Sequence, residues 1–172
     1  TLSRLDLTGA ATLLDLGGGH GFYSVAFAQK YPDLSVTLFD LPAVMDGARP
    51  FISQTKVGHR SAIRSGNFLH DDIGGGYDAI LASNVLHKDK RDLVLPKIYS
   101  ALSPGGTFIL RCRIADGPDN LTTALSKLYW QVWGGRDLYT AAQWEGFVTP
   151  YGFTGFTLHG VDDMFATFTA KK

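Results

Sequence analysis

The stretch Leu13-Leu14-Asp15-Leu16-Gly17-Gly18-Gly19-His20-Gly21 decides the fold of this 172-residue chain. Its apolar half predicts a buried strand over residues 11–16, and the glycines predict a tight turn. A helix over residues 22–30 is expected to follow, ended by Tyr31-Pro32-Asp33. In such a strand–turn–helix unit the backbone amides point outward and a ligand can approach the turn closely.

The spacing of the glycines indicates which kind of ligand the turn can bind. Gly17, Gly19 and Gly21 form a G-x-G-x-G pattern, whereas the dinucleotide pattern G-x-G-x-x-G would need glycine where Phe22 stands. Asp15 lies on the strand just before the turn. The glycine spacing together with Asp15 indicates a nucleoside with an amine-bearing tail as the ligand. Asp15 would accept a hydrogen bond from that amine, directly or through water. The alternative is a plain tight turn with no ligand.

Two further segments fit the same ligand. Asp40 ends a second predicted strand 25 residues after Asp15, where an acid can accept both ribose hydroxyls. The alternative for Asp40 is a turn-forming role before Leu41-Pro42. Asn67 and Phe68 follow a short third strand, where an amide can meet an adenine edge and the ring can lie against its face.

The rest of the chain predicts an α/β sheet protein. Strands are expected over residues 77–82 and 107–112, with a helix over 92–102 between them, ended by a Ser103-Pro104-Gly105-Gly106 turn. This alternation predicts a parallel sheet with helices on both faces. Residues 154–159 and 164–169 predict an antiparallel hairpin at the sheet edge. Because no repeat or long linker interrupts the pattern, residues 1–172 are taken as one domain.

Composition excludes several function classes. Sixteen basic residues balance sixteen acidic ones, so no net positive field favours nucleic acid as a partner. No apolar run approaches the ~20 residues that span a bilayer, so no membrane association is expected. The absence of an export leader, together with the single Cys112, predicts a cytoplasmic protein.

Seven motifs occur in the order seen in one enzyme family. They are Leu14-Asp15-Leu16-Gly17-Gly18-Gly19-His20-Gly21, Phe39-Asp40-Leu41-Pro42, Gly66-Asn67-Phe68, Gly76-Tyr77-Asp78-Ala79-Ile80-Leu81, Asn84-Val85-Leu86-His87, Ala101-Leu102-Ser103-Pro104-Gly105-Gly106 and Tyr151-Gly152-Phe153. With them the chain resembles the catalytic domain of the class I O-methyltransferases, which include plant caffeic-acid and flavonoid enzymes and bacterial antibiotic-tailoring enzymes.

The resemblance implies a Rossmann-like, seven-stranded, mostly parallel sheet of order 3-2-1-4-5-7-6 that ends in the antiparallel hairpin. It implies S-adenosylmethionine as methyl donor, S-adenosylhomocysteine as product, and a small aromatic or polycyclic acceptor. No metal is expected. The family's N-terminal dimerisation domain is absent from this sequence, so we expect a homodimeric full-length protein but a monomeric 172-residue chain. The cofactor-binding positions carried over are Asp15, Gly17, Gly19, Gly21, Asp40, Leu41, Asn67, Phe68 and Ser83.

His87 is the predicted catalytic base. It follows the fourth strand, at the carboxyl edge where ligands bind in such sheets. The family's matching histidine takes the proton of the acceptor hydroxyl, and an imidazole with a pKa near ~6.5 suits that role. The alternative is a loop histidine satisfied by solvent.

The residues around His87 depart from the family pattern. Lys88 and Asp89 stand where the family has an acid and a tryptophan, and Cys112 replaces a glutamate that orients the histidine. A second orienting acid is supplied by Asp137, which has the shorter aspartate side chain. Two alternatives therefore stay open: a different reaction on the same fold, and a cofactor-binding module whose catalysis has decayed.

Three residues are candidates for contact with the acceptor. Trp130 and Trp133 lie on a predicted amphipathic helix over residues 121–133, which lines the acceptor pocket in the family. Aromatic residues at helical spacing are also typical of core packing. Arg113, at the end of the fifth strand, can hold an acidic substrate or be solvated.

Overall fold

A parallel sheet with one antiparallel edge organises the molecule. The computed structural model describes residues 2–118, 120–130, 132, 138–162 and 165–172. Its strands are β1 (Thr12–Leu16), β2 (Ser35–Asp40), β3 (Ser61–Ser65), β4 (Tyr77–Ser83), β5 (Leu102–Arg113), β6 (Thr154–Asp162) and β7 (Phe165–Lys171). Its α-helices are α1 (Phe22–Lys30), α2 (Pro42–Ser53), α3 (Lys88–Ala101), α4 (Leu121–Tyr129) and α5 (Ala141–Val148).

The strand order in the described residues is 3-2-1-4-5-7-6, which confirms the predicted topology. Strands β1 to β5 pair in parallel, and β7 joins β5 antiparallel with β6 outside it. The reversal of strand order lies between β1 and β4, where doubly wound sheets bind their ligands at the carboxyl edge.

Two apolar clusters cover the two faces of the sheet. On one face α1 and α2 pack through buried residues such as Phe27, Met45 and Ile52. On the other, α3 and α5 pack through residues such as Leu95 and Trp144. The fold therefore buries the central strands β1, β2, β4 and β5, leaves the edge strand β3 partly exposed, and leaves the loops to build a site. No helix among the described residues is long and apolar enough to cross a membrane.

Three segments differ from the sequence prediction, and helix α3 also begins earlier than predicted, at Lys88 and not at residue 92. The Ser103–Gly106 segment, expected as a turn, lies inside β5 as an irregularity: Leu102 already pairs with Tyr77, and the register then shifts to Ala79 and Thr107. Helices α2 and α5 were not predicted at all. Gly47 and Pro50 lower the helix propensity of α2, whereas Pro42 stands at its first position, where proline is favoured. The buried face of α2 against the sheet outweighs the cost of Gly47 and Pro50.

Candidate active site at the carboxyl edge of the sheet

The glycine turn between β1 and α1 forms the centre of the site. Gly17, Gly19 and Gly21 have φ angles of 68°, 58° and 81°, in the left-handed region that glycine adopts without strain. The amide of Gly17 donates to the carbonyl of Phe39 at 2.7 Å, which joins the turn to β2. The predicted turn is confirmed, and its geometry requires glycine.

Neighbouring side chains close around this turn. A Cβ atom on Gly18 would lie 2.5 Å from Asp15 Cγ, and one on Gly17 would lie 2.6 Å from Val85 Cγ1. Val85 belongs to the loop that carries His87, so the glycine turn and the predicted catalytic loop are in direct contact. Sequence reasoning did not single out Val85, because its contact is made across two loops.

Asp15 is a buried carboxylate with one free oxygen. Its Oδ2 accepts a 2.7 Å hydrogen bond from Ser24 Oγ, whereas Oδ1 has no hydrogen-bond partner among the described residues. Burial raises the pKa of Asp15 from 3.8 to about 6. An unsatisfied carboxylate oxygen beside a glycine turn offers an acceptor to a cationic or hydrogen-bonding ligand. Ser24 was missed because nothing in the sequence pairs it with Asp15.

Asp40 ends β2 on the other side of the turn. Its Oδ2 accepts from the Gly19 amide at 2.9 Å, and its Oδ1 accepts from the Leu41 amide at 2.7 Å. Each oxygen keeps further acceptor capacity, and the side chain is only half-buried. Leu41 itself is exposed next to it. The structure therefore shows the turn-forming role of Asp40, and the acceptor role expected from the sequence stays a prediction.

The loop after β3 places Phe68 near the same turn. Phe68 packs against the core, and its Cε1 would lie 3.4 Å from a Cβ atom on Gly17. Asn67 is used within the loop, where its Oδ1 accepts from the Leu69 amide at 3.0 Å. The adenine contact expected of this loop stays a prediction, for which the Phe68 ring and the other polar groups of Asn67 are the candidates.

His87 lies at the start of α3, beyond the end of β4. Its carbonyl accepts the amides of Lys90 at 2.9 Å and Arg91 at 2.8 Å, and its side chain is half-buried. Asn84, in the same loop, has a φ of 62° and donates its amide to the Arg111 carbonyl at 2.8 Å. Ser83 pairs with Arg111 at the last rung of β4 and β5. This bonding ties the His87 loop to β5.

Arg91 fixes the first turn of α3 against α5. Its guanidinium carbon lies 3.5 Å from the ring centroid of Phe147 and 5.5 Å from that of Tyr139. The arginine is buried, with its Nη1 lacking a hydrogen-bond partner among the described residues. Such cation–π stacking holds the segment that begins with His87. Sequence reasoning missed it, because the aromatic partners lie about 50 residues away.

The end of β5 carries Cys112 and two arginines. Cys112 is buried in the core cluster, and burial raises the pKa of its thiol far above the usual range. The Arg113 guanidinium carbon lies 4.0 Å from the Trp130 ring centroid and 4.4 Å from that of Phe165. The structure thus brings Arg113 and Trp130 together. Trp133 and Asp137 lie outside the described residues.

Helix α4, which ends one residue before Trp130 and not at residue 133 as predicted, does not bury its apolar side as core packing would require. Its large apolar side chains in the described part are mostly solvent-exposed, among them Leu121, Leu125, Leu128 and Tyr129. Among the residues with described positions, no group of three or more His, Cys, Asp or Glu side chains could hold a metal ion.

Comparison with known proteins identifies the family. The model of the O-methyltransferase domain family matches residues 1–154. The chain belongs to this family. Demethylspheroidene O-methyltransferase of Cereibacter sphaeroides is 30% identical over 158 residues, covering 89% of this chain and 42% of that protein. L-tyrosine C(3)-methyltransferase of Streptomyces lavendulae is 28% identical over 167 residues, covering 92% and 45%.

A solved relative has the same fold. The structure of human N-acetylserotonin methyltransferase in complex with S-adenosylmethionine superimposes with a TM-score of 0.84 at 26% identity, covering 99% of this chain and 50% of that one. The chain thus spans about half the length of such relatives.

Proposed function

We propose that this chain is the cofactor-binding and catalytic part of an S-adenosylmethionine-dependent O-methyltransferase. Its acceptor is a hydroxyl on a small aromatic or polycyclic metabolite. The observation that carries the proposal is the contact between the acid-flanked glycine turn and the His87 loop, made by Val85 against Gly17. Named relatives that methylate small molecules support it. The single cysteine supports a cytoplasmic location.

The residues at the sheet edge fit this cofactor. The free Oδ1 of Asp15 offers an acceptor to the ammonium of the methionine tail. Asp40 offers both oxygens to ribose hydroxyls, and Phe68 offers an apolar face to adenine. Of the four glycines in the turn, Gly19 faces open space, because a Cβ atom there meets nothing within 4 Å, whereas Cβ atoms on the other three would clash with neighbouring side chains. When bound, S-adenosylmethionine supplies a methyl group on a positively charged sulfur.

In this proposal His87 is the base that takes up the proton of the acceptor hydroxyl. Its loop is fixed by the Asn84–Arg111 backbone bond and by the first turn of α3. Fixed orientation of the reacting groups supplies roughly 7 to 11 kcal/mol in favourable cases, and general-base catalysis adds about 10²- to 10⁴-fold. Arg113 and Trp130 are proposed to contact the acceptor, and Asp137 to orient His87.

Cys112 favours a second candidate, which is a different reaction on the same cofactor site. A buried neutral thiol cannot orient an imidazole as the family's glutamate does. In that case His87 keeps only one of the two acidic supports that the family pattern gives it. A reaction on the same cofactor site other than methyl transfer to a hydroxyl then becomes more favourable.

Transfer of a labelled methyl group tests the function. The full-length protein is expected to methylate at least one member of a panel of phenols and aromatic acids. His87→Ala should lower turnover by about 10²- to 10⁴-fold and leave the Kd for S-adenosylhomocysteine within about twofold. His59→Ala, in a short helical turn before β3, is the matched control. Wild-type turnover by His87→Ala on the true acceptor would rule out the base assignment.

A further inference from the structure

Lys97, on helix α3, donates all the hydrogen bonds of its ammonium group to the loop of residues 67–71. Its Nζ donates to the carbonyls of Phe68 at 3.0 Å, Leu69 at 3.1 Å and Asp71 at 3.1 Å. An ammonium group has three protons, so all three are used by this loop. Charge-assisted bonds of this kind are stronger than neutral ones.

The same loop is closed from within by Asp71. Its Oδ2 accepts the Asn67 amide at 2.7 Å, and its own amide donates to the Asn67 carbonyl at 2.7 Å. These bonds fix the shape of residues 67–71 but do not attach the loop to the rest of the molecule. Lys97, in the third turn of α3, makes a hydrogen-bonded attachment in addition to the packing of Phe68 and Leu69 on the core.

We propose that Lys97 is a positioning residue for the cofactor: it holds the Phe68 ring in place beside the glycine turn. The inference rests on the proposed function, because the ring is assigned to the adenine face there. Lys97 also belongs to α3, the helix that starts after His87, so one helix positions both the cofactor loop and the base. The side chain itself contacts neither the cofactor nor the acceptor.

The test compares two lysines that bind backbone carbonyls. Lys97→Met is expected to raise the Kd for S-adenosylhomocysteine, and the KM for S-adenosylmethionine, by at least tenfold. The kcat at saturating cofactor should stay within about twofold. Lys172→Met is the matched control, because Lys172 Nζ also binds two carbonyls, those of Ser100 and Leu102, away from the site. Its Kd should equal the wild-type value.

Lys97→Arg and the wild-type chain serve as two further controls in the binding experiment. Lys97→Arg keeps the charge and several donors, so it should recover most of the affinity that Lys97→Met loses. Equal affinity of Lys97→Met and wild type would overturn the inference, as would an equal loss of affinity in Lys172→Met. If the wild-type chain itself binds no S-adenosylhomocysteine, the proposed function fails instead, and the two failures are thereby distinguished.

Discussion

Single residues at the sheet edge carry the charges of the site. Asp15 and Asp40 flank the same glycine turn, but one is fully buried and the other half-exposed. Burial disfavours the ionised form of Asp15 and raises its pKa, whereas the oxygens of Asp40 accept hydrogen bonds from two backbone amides. In the proposed function Asp15 accepts the ammonium of the cofactor and Asp40 accepts its ribose hydroxyls.

The raised pKa of Asp15 predicts a pH dependence of stability. Because the folded state holds this proton more tightly than the unfolded state, unfolding free energy should fall as pH rises from about 3.8 to about 6, then level off. Asp15→Asn removes this slope. Its stability relative to wild type should rise by up to about 3 kcal/mol between pH 4 and pH 7.

Urea unfolding at several pH values measures this effect, with the exposed Asp33→Asn as control. If the stability of Asp15→Asn relative to wild type does not change with pH, burial does not raise the pKa of Asp15 and this prediction is wrong.

Asp40 should contribute mainly to binding. Asp40→Ala removes both acceptor oxygens and should raise the Kd for S-adenosylhomocysteine by the equivalent of about 1 to 3 kcal/mol. Asp40→Asn keeps one acceptor and should give an intermediate value. Calorimetry with both variants measures the difference. An unchanged affinity in Asp40→Ala would exclude Asp40 from the ribose site.

At the scale of elements, the glycine turn is the least tolerant segment. Gly18→Ala would place a methyl group 2.5 Å from Asp15 Cγ, so it should cost about 1 to 3 kcal/mol of stability and weaken cofactor binding. Gly47→Ala is the control, because a Cβ atom there meets nothing within 4 Å on helix α2. It should stabilise the chain by roughly 0.5 to 1 kcal/mol. Equal stability of the two variants in urea would contradict this account.

The sequence allowed the elements of the parallel sheet to be predicted better than those that pack on it. Helix α1 was predicted at its observed bounds, because Gly21 and Pro32 mark its ends. Helix α5 was missed, although Thr140 and Gln143 form a capping box that could have located its start. Ser24, Val85 and Lys97 could not have been found from the sequence, because each acts through a contact set by the packing of separate elements.

At the scale of the whole molecule, the carboxyl edge brings together the glycine turn, two acids and the His87 loop, which come from three different strands, β1, β2 and β4. Each of these segments is ordinary by itself, and only the strand order 3-2-1-4-5-7-6 brings them together. The large apolar side chains of α4, next to the proposed acceptor contacts, are mostly exposed. Binding of the cofactor is the property of this chain that can be measured most directly.

Titration calorimetry of the 172-residue chain with S-adenosylhomocysteine tests the central claim most directly. The account predicts saturable binding at one site per chain, because every proposed cofactor contact lies within residues 13–84. It also predicts no comparable binding of NAD, since Phe22 stands where a dinucleotide turn needs glycine. No binding of S-adenosylhomocysteine to the folded chain, or tighter binding of NAD, would contradict the account.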